Sequence, residues 1–181
     1  METKQTSILA PALIAGVIAA AACIIYSLIL NAAIKGLPPK GTQYVSYLLL
    51  ILVIFFATKQ FREKKAEGFI SYGKALGFGT LISGVTAVLY APYMYIYMTF
   101  INPNLINQIM EQAQIKMANT PNMTPEAMDM AMKSIKIFTS PSVMAIITIV
   151  GFLFIGFIIS LITAAILQKD KPVFETPDTQ A

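Results

Sequence analysis

Histidine is absent from the 181-residue chain, and cysteine occurs once, at Cys23. A metal site built from histidine and cysteine therefore lacks its usual ligands, and no internal disulfide can form. Charge is also scarce, because Asp, Glu, Lys and Arg make up 12% of the residues, about half their share in an ordinary soluble domain. The cores of the long apolar runs contain no charged residue. We therefore expect no enzyme activity, no cofactor and no metal.

Apolar residues dominate what is present: 56% of the chain is hydrophobic, and the mean hydropathy is +0.69. A transmembrane helix needs about 20 consecutive apolar residues. Four spans are predicted, at about 8–30, 43–58, 72–100 and 142–167, of which the second is short. Since none of these runs alternates like a barrel strand, the sequence predicts an all-α integral membrane bundle, with residues 1–181 as a single domain.

Lysine and arginine are distributed unequally between the two ends of the predicted spans. Eight lie on the side that holds both termini and the turn between the second and third spans, and five lie on the other side. The juxtamembrane basic residues around this turn are Lys59, Arg62, Lys64, Lys65 and Lys74. The positive-inside rule therefore places both termini and this turn in the cytoplasm. The basic residues should attract anionic headgroups of the lipid bilayer, and the net charge of +4 indicates no nucleic acid partner.

The stretch GFISYGKA, residues 68–75, matches a phosphate-binding loop at all but one required position. The pattern G-x-x-x-x-G-K-[ST] needs a hydroxyl after the lysine, and Ala75 stands there. A charged run also precedes the stretch, where a nucleotide-binding loop would follow a buried strand. Lys74 is therefore predicted to be a juxtamembrane cation, and the glycines are predicted to belong to the third helix.

Small side chains recur at every fourth position of the third span. The predicted packing stripe consists of Ala75, Gly79, Ser83, Ala87 and Ala91. A shorter stripe in the fourth span consists of Gly156, Ser160 and Ala164, and another in the first span of Ala12, Gly16 and Ala20. Small faces allow close helix approach in lipid, so we expect the third helix to be central, in tight contact with the first and fourth. The second, with large side chains all round, should pack outside; the alternative is that small residues are simply common in membrane helices.

Tyrosines cluster toward the outer end of the third span, at Tyr90, Tyr93, Tyr95 and Tyr97. Aromatic rings with a polar tip settle at the headgroup level, so these residues are predicted to form an interfacial belt. A stacking platform for a cofactor or nucleic acid is the less favoured interpretation.

The section between the third and fourth spans, about 103–138, contains two amphipathic helical patterns separated by ANTPNMTP. Asn102 with Pro103 is predicted to start the first helix, and Thr124 with Pro125 the second. These patterns predict an extramembrane helical hairpin that caps the bundle or lies in the outer interface. Met128 and Met132 lie one turn apart, and thioether sulfur favours Cu(I), which makes copper binding a remote alternative to apolar contact. Residues 169–181 are predicted to be a short disordered tail.

The residues EKKAEGFISYGKALGFGTLISGVTAVLYAPYMYIYMTFINPNL resemble a bacterial membrane-protein family, domain of unknown function 4199, known mainly from Bacteroidetes. The likeness covers nearly the whole chain. The resemblance implies four spans, a basic turn before the third helix, a Tyr-rich end to that helix and a bacterial inner-membrane location. It implies no catalytic residues.

The sequence therefore predicts a non-enzymatic multi-pass membrane protein that associates with itself, as a homo-oligomer, or with another membrane protein through its small-residue faces and the hairpin. The alternative is a small transporter or channel subunit. In that case the path would be lined by Ser83, Thr86, Thr148, Ser160 and Thr163.

Overall fold

The computed structural model describes residues 7–34, 37, 39, 41–120 and 124–170. Within these residues the fold is all-α, without strands. The six helices are α1 Leu9–Ala33, α2 Thr42–Lys64, α3 Tyr72–Ile96, α4 Leu105–Ala118, α5 Pro125–Phe138 and α6 Pro141–Leu167, and α3 continues as a π-helical turn, Tyr97–Ile101. Four of them, α1, α2, α3 with its π-helical turn, and α6, are long and apolar enough to cross a membrane, which confirms the predicted membrane bundle.

Helix α3 occupies the centre of this bundle. It packs most extensively against α6, and next against α1. Helix α2 contacts α1 and α6 and touches α3 less. The sequence prediction of a central third helix thus agrees with the structure, and α3 packs against all three of the other long helices.

Helix α2 differs from its prediction in length and in burial. It continues beyond residue 58 to Lys64, because leaving the hydrocarbon does not end a helix and Phe61 remains buried there. The Phe61 ring stacks on Phe78 of α3 with centroids 4.7 Å apart. Leu50 and Ile54 are fully buried, so part of the bulk of α2 packs inside the bundle, where the sequence predicted an outer helix with its bulk facing lipid.

The turn between α2 and α3 is tied to the end of α6, at what we call the basic end of the bundle. Glu67 and Gly68 adopt left-handed backbone conformations, with φ of 56° and 85°. Ile70 and Lys169 then exchange two backbone hydrogen bonds of 2.9 Å each. Lys169 is therefore anchored, which corrects its assignment to a disordered tail, and the tail residues 171–181 lie outside the described residues.

Helices α4 and α5 form the predicted hairpin. It lies at the end of the bundle opposite the basic end, which we call the hairpin end. Helix α5 begins as predicted, with the Thr124 hydroxyl accepting a hydrogen bond from the Ala127 N–H at 3.2 Å and Pro125 in the first helical position. Helix α4 begins at Leu105, later than the Asn102–Pro103 signal suggests. The reason is that the Asn102 N–H still donates to the Tyr97 carbonyl, at 2.7 Å, and so belongs to the π-helical turn.

Candidate functional site

The contact between α3 and α6 is built from two reciprocal glycine–serine pairs. Gly79 of α3 lies against Ser160 of α6, where an added Cβ would stand 2.9 Å from the serine Cβ. Gly156 of α6 lies against the side chain of Ser83 of α3 even more closely. Both serine hydroxyls donate back to their own helix, Ser83 to the Gly79 carbonyl at 3.0 Å and Ser160 to the Gly156 carbonyl at 2.6 Å. Because each hydroxyl is satisfied locally, the pair can pack without an unmet polar group.

Helix α1 approaches α3 in the same way at Gly16. A Cβ there would stand 2.5 Å from the Cβ of Val85 and 3.0 Å from the Ile82 carbonyl oxygen. The Thr86 hydroxyl lies 3.2 Å from the Gly16 carbonyl oxygen and 2.8 Å from the Ile82 carbonyl oxygen, so the two helices also meet through a polar contact.

The small-residue stripes therefore form contacts between helices of the same chain. All members of the three stripes are buried: Ala75, Gly79, Ser83, Ala87 and Ala91 in α3, Gly156, Ser160 and Ala164 in α6, and Ala12, Gly16 and Ala20 in α1. Association through these faces would require the bundle to open. Among the polar residues considered for a transport path, Ser83, Thr86 and Ser160 are fully buried and their hydroxyls are hydrogen-bonded to backbone carbonyls.

Three of the four clustered tyrosines turn toward the bundle. The Tyr93 hydroxyl is hydrogen-bonded to Ser27 Oγ of α1 at 2.9 Å, and the Tyr97 hydroxyl donates to Asn31 Oδ1 at 2.9 Å. Tyr90 contacts the ring of Tyr93, with centroids 5.3 Å apart. Tyr95 differs, with 43% of its surface exposed. The sequence suggested a belt because it shows the rings but not the hydroxyl partners on α1.

Tyr90 and Tyr97 border a cavity of about 240 Å³ near the hairpin end. Its lining combines hydroxyl and amide groups from α1, α2 and α3, and no lining residue carries a charge. The polar lining residues are Tyr26, Ser27, Asn31, Thr42, Gln43, Ser46, Tyr90 and Tyr97. Sequence reasoning missed Ser27 and Asn31, although their spacing of four residues matches that of Tyr93 and Tyr97.

At the basic end, the juxtamembrane residues play different parts. Arg62 donates to the Leu167 carbonyl at 3.3 Å, which satisfies the end of α6, and also pairs with Glu63 at 3.3 Å. Lys59, Lys64 and Lys65 are exposed, and Lys74 is half-buried in the first turn of α3. The stretch 68–75 is thus a turn followed by a helix start.

The copper alternative gains no support from nearby ligands. Met128 and Met132 are half-buried on α5, whereas Met130 is 70% exposed. Within the described part of the chain, no group of three or more His, Cys, Asp or Glu residues is placed to hold a metal ion.

A second face of α3 remains open. Gly73 has no atom within 4 Å of the position where a Cβ would stand, and the nearest atom for Gly77 is 3.9 Å away. These glycines, with Thr80 and Gly84, line a shallow groove of about 890 Å³. Its apolar walls come from α1, α3 and α6 and include Leu13, Val17, Leu81, Val88, Leu89, Leu153 and Phe157.

Comparison with known proteins gives one match. No curated protein and no solved structure matches the chain. A sequence model of the family described as protein of unknown function (DUF4199) matches residues 12–169, which cover α2, α3, α6 and all but the first three residues of α1. The chain therefore belongs to the DUF4199 family.

Proposed function

We propose that this protein is a non-enzymatic membrane component that associates with a second copy of itself through the open face of α3. The observation that carries the proposal is the spacing and openness of Gly73 and Gly77. They form a G-x-x-x-G pattern whose α-carbons face unfilled space. In lipid, such a pattern lets a second helix approach closely where apolar burial alone supplies no driving force.

The same face offers both halves of a self-complementary contact. The glycines form a groove, and the exposed side chains Val88 (62%) and Leu89 (41%) form a ridge beside its far end. Because both copies have the same orientation in the membrane, the two-fold axis runs along the membrane normal and residues at one depth meet the same residues of the second copy. The glycines of the two grooves then face each other, and the two ridges pack side by side. The buried faces of α3 keep the fold of each copy intact while this contact forms.

We further propose that the protein lies in the inner membrane of a bacterium, with both termini in the cytoplasm. Support comes from the excess of Lys and Arg at the basic end. The hairpin of α4 and α5 then lies on the periplasmic side.

Oligomeric state in liposomes tests the proposal, for example by single-molecule photobleaching at increasing dilution in lipid. Gly77→Leu fills the groove, and we expect it to lower the apparent association constant of the dimer at least tenfold. Gly151→Leu is the matched control, because a Cβ added at Gly151 of α6, like one added at Gly77, would meet no atom closer than 3.9 Å, but Gly151 lies outside the groove. A wild-type protein that stays monomeric at all densities, or equal loss in both variants, contradicts the proposal.

A further inference from the structure

We infer that the groove between α1 and α2 at the basic end binds one anionic phospholipid. The groove has a volume of about 830 Å³, within the range of ligand sites in general. Its lining shares no residue with the open face of α3. The site is therefore independent of the proposed self-association.

Helices α1 and α2 line the groove at the basic end, and they are hydrogen-bonded to each other near the hairpin end. Near the hairpin end, the Tyr26 hydroxyl of α1 donates to the Thr42 carbonyl of α2 at 3.0 Å. Toward the basic end, α1 offers the small side chains of Ala10, Pro11 and Ala15, which leave space in front of α2. In a bilayer, only an apolar group can fill this space without penalty, because water does not enter the hydrocarbon region.

The lining of the groove changes along its length from apolar to basic, as a phospholipid changes from acyl chains to an anionic headgroup. Its walls are apolar over most of their length, with the exposed side chains Ile14, Ile18 and Phe56 at the rim. Gln60, Lys64 and Lys65 line its end at the basic side of the bundle. Acyl chains match the first part, and a phosphate matches the amide and the two ammonium groups.

The length of the groove fits one leaflet. From Leu52 to Lys64, α2 rises about 18 Å at 1.5 Å per residue. Half of the hydrocarbon core is about 15 Å thick, so a chain that enters beside Leu52 brings its headgroup to the level of the lysines. Basic pockets between transmembrane helices are recognised sites for anionic lipid headgroups, whereas a zwitterionic headgroup gains little from two cations.

Lipid binding to the purified full-length protein tests this inference. Phosphatidylglycerol and phosphatidylcholine with the same acyl chains are titrated into the detergent-solubilised protein, and bound lipid is counted by native mass spectrometry. We expect phosphatidylglycerol to bind at least tenfold more tightly. The double variant Lys64→Gln/Lys65→Gln should lose most of this preference, and Ala57→Phe, which fills the groove, should weaken binding of both lipids.

The matched control is Lys59→Gln/Lys74→Gln, which removes the same charge at the same end of the bundle but outside the groove. This control should keep the preference for phosphatidylglycerol. Equal loss in the two double variants would mean that the lysines act only through a diffuse surface potential, and equal binding of the two lipids would mean that the groove takes any acyl chain. Either result overturns the inference.

Discussion

Gly79 is one of three glycines, with Gly16 and Gly156, at which the bundle has no room for a larger side chain. Its missing Cβ leaves room for the Cβ of Ser160 and for Cγ2 of Ile54, which would stand 2.9 and 3.1 Å from an added methyl group. Both neighbours are fully buried, so neither can move into open space. A larger side chain must push α6 or α2 away from α3.

Gly79→Leu is therefore expected to lower the free energy of unfolding by about 1–3 kcal/mol or more, as overpacking of a close contact does. Cys23 provides the readout, since it is the only cysteine and is fully buried, so a thiol-reactive dye reports unfolding on heating. Gly151→Leu, in open surroundings, should change stability by less than about 0.5 kcal/mol. Lys74→Ala should also change the free energy of unfolding only slightly, because it removes only a juxtamembrane charge. Unchanged stability in Gly79→Leu would refute the close contact.

At the scale of the elements, α1 and α3 are joined near the hairpin end by polar pairs. Asn31 accepts from the Tyr97 hydroxyl at 2.9 Å and from the Asn102 amide at 3.4 Å, so its carbonyl oxygen connects α1 to the π-helical turn. Hydrogen bonds between membrane helices contribute on average about 0.6 kcal/mol, with a maximum near 1.7 kcal/mol. The pair should therefore be detectable as a coupling energy but should not dominate stability.

A double-mutant cycle of Asn31→Ala and Tyr97→Phe is expected to give a coupling free energy of about 0.5–1.7 kcal/mol in thermal or denaturant unfolding. The parallel cycle of Asn31→Ala with Tyr95→Phe should give a value near zero, since Tyr95 is exposed. Strict additivity in the first cycle would show that this polar contact does not hold α1 to α3.

The elements also show how far sequence reasoning reaches. Apolar run length predicts the four spans, and Thr124 with Pro125 predicts the start of α5, because both signals are local along the chain. The stripe containing Gly79 and Ser83 predicts a close contact on α3, but the sequence cannot tell whether the partner is α6 or another molecule. The partner depends on how the helices are arranged, and that is determined by contacts between residues far apart in sequence.

The same limit applies to the end of α2 and to the tyrosines. Hydropathy ends the second span near Lys59, whereas the stacking of Phe61 on Phe78 holds the helix for a further turn. The sequence shows where Tyr93 and Tyr97 lie but not that Ser27 and Asn31 face them. The one local signal for such a contact is that two polar residues four positions apart occur on each of the two helices.

For the whole molecule, the two ends of the bundle differ in chemistry. The basic end carries the Arg62 contact to α6, the backbone pairing of Ile70 with Lys169 and the exposed lysines of the lipid groove. The hairpin end carries α4, α5 and the cavity bordered by Tyr90 and Tyr97. The proposed lipid site and the proposed dimer both require these ends to lie on opposite sides of one membrane.

Reporter fusions test this arrangement most directly. Fusions after Lys65 and at the C-terminus should both report the cytoplasm, and a fusion at Asn122, between α4 and α5, should report the periplasm, as expected for four crossings with the lysine-rich end inside. The reverse pattern would contradict the orientation. A reporter at Asn122 that lies on the same side as the other two would contradict the four-span bundle itself.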